Sequence, residues 1–196
     1  NFTKVRNKVK KLAPGVESIM LGGFVTPQIR AQAGYTYPNI YGMAFKRTAD
    51  GQLLLDANGL PQATASNVNL GECAPDFNMG FNLHAHYKNL SLSATMDWQK
   101  GGCMYNGTLL TMNYFGTTKE SLPYHEGTMV AEGINEATGA KNTVVVSKQA
   151  YYQAYNDVTE AGIFDTSFLK LRDVTLSYQF PKLAGINLSV YGFARN

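Results

Sequence analysis

The chain has 196 residues, 44% of them hydrophobic and 16% charged, with a net charge of +3. That length holds one domain of ordinary polarity, and the mild positive charge, scattered over residues 4–11, Lys46-Arg47 and later sites, is too weak to argue for a nucleic-acid partner. No run of about 18 apolar residues occurs, which excludes a transmembrane helix but not strands that cross a membrane, because alternation averages out in a hydropathy window.

In chain order, Phe2, Val5, Val9 and Leu12 have helical spacing in FTKVRNKVKKL, and Pro14-Gly15 closes the run. A short amphipathic surface helix with a solvated Lys-rich face is predicted there. From residue 22 to 76 the chain is rich in Gly, Pro, Asn and Tyr, with strand candidates at 28–34, 40–47 and 52–56 and turn signals at Asp50-Gly51 and Asn58-Gly59. After the hairpin described next, residues 101–166 are loop-like in composition, with helical turns predicted over 109–115 and 148–156. Near the end, Val174, Leu176, Tyr178 and Phe180 alternate with Thr175, Ser177 and Gln179. A turn at 181–185 follows, and then Ile186, Leu188 and Val190 alternate with Asn187, Ser189 and Tyr191. Leu169 and Leu171 lie on the opposite parity from Val174, so a bulge or a membrane exit is predicted near Asp173. There the chain also carries Lys170 and Arg172, which suit a position above a bilayer better than its midplane. Both ends are read as cut.

The clearest signal is FNLHAHYKNLSLSATMDW, residues 81–98. Tyr87, Ala85, Leu83, Phe81, Met79 and Phe77 take one side of the pleat, and Leu90, Leu92, Ala94, Met96 and Trp98 continue it on the returning strand. His86, His84, Asn82, Gly80 and Asn78 take the other side, with Ser91, Ser93, Thr95, Asp97 and Gln99. Period-two alternation broken by two residues predicts a hairpin turning at Lys88-Asn89, with Tyr87 opposite Leu90 and each apolar residue opposite another. A soluble sheet resting one face on a core is the common use of such a hairpin. Three features favour a transmembrane barrel instead. The strands have the length needed to cross a bilayer at a tilt. Aromatic residues sit at both ends of the apolar face. The turn is minimal, whereas the segment after Gln99 is long before the next strong strand.

Four stretches carry a resemblance. LGECAPDFNMGFNLHAHYKNLSLSATMDWQKGGCMYNGT resembles a pattern of Leu-Gly-Asn, a Pro-Asp pair, a hairpin and Gly-Gly-Asp before an aromatic-Asn. SFLKLRDVTLSYQFPK with INLSVYG resembles late barrel strands, and LGGFVTPQIRAQAGYTYPNIYGMAF and DGQLLLDANGLPQ resemble the extracellular stretch upstream of them. The family is the SusC/RagA-like TonB-dependent transporters of Bacteroidetes outer membranes. The resemblance implies an all-β fold: an antiparallel transmembrane β-barrel segment with long extracellular loops and a few short helices, residues 1–196 forming part of one barrel domain without its plug. It also implies import of oligosaccharides or peptides through the cell outer membrane, a SusD-like surface lipoprotein as lid, and TonB acting through a part outside this chain. A passive porin-like channel and a soluble β-rich glycan-binding or adhesive domain are the alternatives that the hairpins permit.

On this reading Phe77, Met79, Phe81, Leu83, Leu92, Met96 and Trp98 face lipid, and Asn82, His84, His86, Ser93, Thr95 and Asp97 face the lumen. His84 and His86 lack an evident third metal ligand. No Gly-x-Ser-x-Gly elbow or phosphate loop is present, so no enzyme, metal or cofactor is expected, and the substrate-contact residues stay unassigned. Cys73 and Cys103 replace the Asn and Asp of the family pattern. Their nearness in the hairpin register suggests a disulfide tying the hairpin top, contributing roughly 3–4 kcal/mol in the chain-entropy model. Pro75 and a one-residue offset oppose it, and two free thiols are the alternative.

Overall fold

The computed structural model describes residues 1–182 and 184–196, so Leu183, in the predicted 181–185 turn, lies outside the described residues. Elements run β1 Phe2–Thr3, β2 Ser18–Gly23, β3 Gln28–Gln32, β4 Asn39–Gly42, β5 Leu54–Leu55, β6 Val68–Glu72, β7 Phe77–Tyr87, β8 Leu90–Lys100 and β9 Cys103–Tyr105. They continue with α1 Gly107–Tyr114, β10 Thr128–Val130, β11 Ile134–Asn135, β12 Val145–Ser147, α2 Lys148–Asn156, β13 Ile163–Asp165, β14 Phe168–Gln179 and β15 Ser189–Arg195. Two compact units result. One comprises residues 1–6, 75–102 and 166–196, and the other residues 7–74 and 103–165.

The first unit is an open antiparallel sheet in the order β1-β7-β8-β14-β15. Its register matches the alternation: Tyr87 pairs with Leu90, Phe81 with Met96 and Leu83 with Ala94, while Asn82 pairs with Thr95 and His84 with Ser93. Lys88 takes the left-handed conformation (φ 52°) that a two-residue turn demands.

Against β8, the ladder of β14 slips between Leu171 and Asp173 and leaves Arg172 as the extra residue. That bulge resolves the parity conflict in the sequence. Leu169 and Leu171 pair with Trp98 and Met96, and Val174 and Leu176 pair with Ala94 and Leu92, so all four share one face. Lys170, opposite Asp97, falls on the polar face. Val190 pairs with Tyr178 as the alternation predicts, although β15 begins at Ser189 rather than Ile186.

The helix predicted over residues 2–12 does not form. Phe2 and Thr3 instead extend the sheet, pairing with Met79 and Asn78, and residues 4–12 carry no helix. Lys4 and Lys8, and Arg6 and Lys10, would stack like charges one helical turn apart. Those same cations also alternate with Thr3, Val5, Asn7 and Val9, a strand period as plain as the helical one. Phe2 then gains a ring contact with Phe77 at 5.6 Å between centroids.

The second unit holds every buried hydrophobic residue among the described ones: Ile40, Tyr41, Phe45, Leu55, Leu110, Ala131 and Val158. A four-stranded sheet, β2-β3-β4-β6, supplies its scaffold, and all of β4 is buried. Gly42 is required there because a Cβ would lie 2.5 Å from the Thr159 methyl group. The strand predicted over 40–47 ends at Gly42, and bridges at Phe45 and Arg47 continue it. Glu160 gathers this segment: its carboxylate accepts from Phe45 N–H (2.7 Å) and from Arg47 Nη2 and Nη1 (2.7 and 3.0 Å). Both predicted helical stretches are helices. Asn106 caps α1 through Leu109 N–H (3.0 Å), and Ser147 caps α2 through Ala150 N–H (3.1 Å). The strand predicted over 52–56 is the two-residue β5, and short strands absent from the prediction lie among the loops, including β9 with β13 and β11, which pairs parallel with β5.

Candidate functional site

In the sheet unit the two faces differ in chemistry. Large apolar side chains remain open, with Leu83 55%, Leu169 62% and Val190 57% exposed, and none of this unit's described residues belongs to the buried hydrophobic core. Aromatic rings bracket that face. At one end Phe77 meets Trp98 edge-on (5.1 Å between centroids, 85°). At the other, Tyr178 meets Phe180 edge-on (4.9 Å, 84°), and Tyr87 stands in the same row through Leu90. The strand from Phe77 to Tyr87 is about 34 Å long at about 3.4 Å per residue. Tilted by about 45°, it spans a height of about 25 Å, that of an outer-membrane apolar band.

The polar face is a surface of hydroxyls, imidazoles and paired charges. His84, His86, Ser91, Ser93, Thr175 and Ser177 line a shallow hollow of about 340 Å³. His86 Nδ1 and the Ser91 hydroxyl lie 2.8 Å apart. Further along, Arg172 Nε donates to Asp97 at 2.7 Å, and the Thr95 hydroxyl donates to Asp173 at 3.3 Å. The bulge thus brings a cation to Asp97. The register puts Asn82, His84, His86, Ser93, Thr95 and Asp97 on this one face, and Phe77, Met79, Phe81, Leu83, Leu92, Met96 and Trp98 on the other. No cluster of three His, Cys, Asp or Glu occurs among the described residues.

The disulfide expected between Cys73 and Cys103 is not formed; both are half-buried free thiols. They line one apolar hollow of about 390 Å³ with Phe24, Ile29 and Ile40, so the nearness read from the sequence holds within the loop unit. The Cys103 sulfur, however, is set against Gly71, where a Cβ would lie only 2.7 Å from it. Gly71 is two residues short of Cys73. Burial pushes the Cys103 thiol up to about 11, with further contributions from Cys73, Glu72 and Asp165. Burial disfavours the thiolate, the reactive form. At pH 8, alkylation of Cys103 in the folded protein is therefore expected to run about a hundredfold slower than for an ordinary thiol, accelerating up to pH 11. Mass-resolved labelling across pH checks this; a midpoint near 9, or a mass two hydrogens lighter, would count against it.

The loop unit carries a second hollow, of about 260 Å³, that sequence reasoning missed. Three segments build it: the end of α1, the stretch around Tyr124-His125, and α2. Tyr124 and Tyr152 stack face to face (4.3 Å, 12°), and Tyr114 meets Phe115 edge-on (5.2 Å, 81°). Burial raises the Tyr152 phenol above its ordinary value, so the ring stays neutral. Beneath lies a Ser–His pair, with Ser121 Oγ 3.1 Å from His125 Nε2. It is no nucleophile and base. Ser121 is fully buried and donates to the Thr118 carbonyl (2.7 Å), while Nε2 faces the Gly116 carbonyl at 3.0 Å and must carry the proton. The one visible clue in the sequence was the run KQAYYQAYN, which repeats Gln and Tyr at helical spacing.

An open antiparallel sheet with one uncovered apolar face between aromatic bands, joined to a loop-rich unit, defines a class: a stretch of outer-membrane-type β-barrel with its loops. No family model matches the chain. TonB-dependent receptor P3 of Formosa agariphila is 25% identical over 205 aligned residues, which cover 93% of this chain and 19% of that protein. Among solved structures, the RagAB peptide importer in its closed-closed state aligns with 100% of this chain and 22% of the matched chain, at TM-score 0.59 and 21% identity. The chain thus spans 19% of the length of the curated relative. Both comparisons agree with the resemblance read from the sequence: the chain is similar to a TonB-dependent receptor and has the all-β fold of a TonB-dependent transporter segment.

Proposed function

We propose that this chain is part of an outer-membrane transporter that imports oligosaccharide or peptide cargo. A SusD-like lipoprotein would cover the extracellular mouth, and TonB would drive import through a part of the protein outside this chain. The observation that carries this reading is the uncovered apolar face of the five-stranded sheet, bracketed by aromatic rings. In water such a face would need a protein core over it; in a bilayer it needs none, and closure of the sheet into a barrel satisfies the edges. Phe77, Met79, Phe81, Leu83, Leu92, Met96 and Trp98 then face lipid. Asn82, His84, His86, Ser93, Thr95 and Asp97 face the lumen, where His86, the serines and the Asp97–Arg172 pair meet water and cargo. The protein acts by binding and conformational change, not by catalysis.

Uptake of labelled cargo by cells carrying the intact gene tests the reading. Import is expected to stop when TonB is removed and the protein to fractionate with the outer membrane. Uptake that continues without TonB would mean a passive channel, and a protein soluble without detergent would mean a secreted domain.

A further inference from the structure

We propose that the aromatic hollow of the loop unit is a binding subsite for one ring of an uncharged saccharide. This names the cargo class for the transporter reading and rests on that reading only for its physiological role. Three properties of the hollow converge on it. First, its aromatic faces are of the kind that pack against the C–H face of a sugar ring: the Tyr124–Tyr152 stack forms a wall, and Phe115, 70% exposed, stands at the rim. An aromatic ring that open to water at the lip of a concave site has a free face.

Second, the polar groups are amides with unused capacity. Gln149 and Gln153 lie one turn apart on α2 and both line the hollow. Neither side chain has a hydrogen-bond partner among the described residues, so each offers a carbonyl and an amino group. Asn113 spends its carbonyl on the Thr118 hydroxyl (2.7 Å), leaving its amino group to donate. Sugar hydroxyls both donate and accept, and a primary amide matches both roles, whereas a charged ligand would leave it half used.

Third, no Asp, Glu, Lys or Arg lines the hollow, and His125 is spoken for by Gly116. Such a lining gives an anionic or cationic ligand no counter-charge. A peptide strand docks most readily by adding to a sheet edge, and the lining comes from helices and turns with no strand in it. The volume of about 260 Å³ is just under the common range for drug-sized ligands, about 300–1,000 Å³, and suits one ring of a longer chain.

The test is an array of neutral oligosaccharides and neutral peptides probed with the intact transporter in detergent, as wild type, Phe115→Ala, Gln153→Ala and, as a control, Phe24→Ala. Phe24 is 77% exposed and lies on the loop unit outside this hollow. At least one neutral oligosaccharide is expected to be retained. Each hollow variant is expected to weaken its retention about tenfold, through a lost stacking face or hydrogen bond, and the control to leave it unchanged. Retention of peptides alone, retention of nothing, or equal retention by wild type and both hollow variants would overturn the subsite. Unchanged heat-modifiable migration of the variants verifies folding. TonB-dependent uptake without saccharide binding would sink the subsite and spare the transporter reading. Saccharide binding by a protein absent from the outer membrane would do the reverse.

Discussion

Leu83→Arg is expected to destabilise the inserted barrel by about 2–4 kcal/mol, and His84→Arg to cost far less. The two residues are neighbours on β7 with similar exposure to the surroundings of this sheet, and they differ in face. Leu83 pairs with Ala94 in the middle of the apolar side, between the Phe77–Trp98 and Tyr178–Phe180 aromatic ends. A guanidinium there must be desolvated or must reach for an interface about half a bilayer away. His84 pairs with Ser93 on the hydroxyl-lined side, where water or polar groups solvate a cation. Denaturant titration of the barrel in lipid vesicles measures both. Equal losses would show that the faces are not sorted between lipid and lumen.

The sheet was legible because its information is local. Two strands of eleven residues with strict alternation and a two-residue turn leave a single register that keeps every apolar residue on one side. Even the bulge could be placed, because Leu171 and Val174 cannot share a face of a regular strand. The opening segment misled because Phe2, Val5, Val9 and Leu12 fit a helix while the cations between them fit a strand. A sheet edge at Met79, distant in sequence, decided the matter. In residues 101–166 the strands are only two or three residues long and their partners are remote, as when Cys103–Tyr105 pairs with Ile163–Asp165. No periodicity accumulates over such a length. The aromatic hollow was hidden for the same reason: Phe115, Tyr124 and Gln153 come from three segments, and only the fold brings them together. With the cysteines the pattern indicated neighbourhood but not bonding, since nearness of backbone does not aim a sulfur, and Cys103 is aimed at Gly71.

Two single-residue deletions separate a sheet sorted by face from one held together by composition. Removing Ser93 from the middle of β8 shifts everything beyond it by one position. Met96 and Trp98 would turn to the polar side and Asp97 to the apolar side. Because β8 is paired along both edges, with β7 and with β14, neither neighbour can follow without breaking its own sorting. Loss of outer-membrane assembly is expected. Removing Arg172 shifts the chain by one residue as well, yet the outcome should be opposite. Without the extra residue, Leu169, Lys170, Leu171, Asp173, Val174, Thr175 and Leu176 form an uninterrupted alternation. The ladder against β8 then runs from Met96 to Thr95 without a slip. What disappears is the 2.7 Å ion pair with Asp97. Both partners are about two-fifths exposed, so solvent screening leaves the pair worth at most about 1 kcal/mol. The Arg172 deletion is therefore expected to reach the outer membrane and keep heat-modifiable migration, while the Ser93 deletion is degraded or remains in inclusion bodies. Assembly of both, or of neither, would mean that the alternation on β8 and β14 does not sort side chains between two solvents.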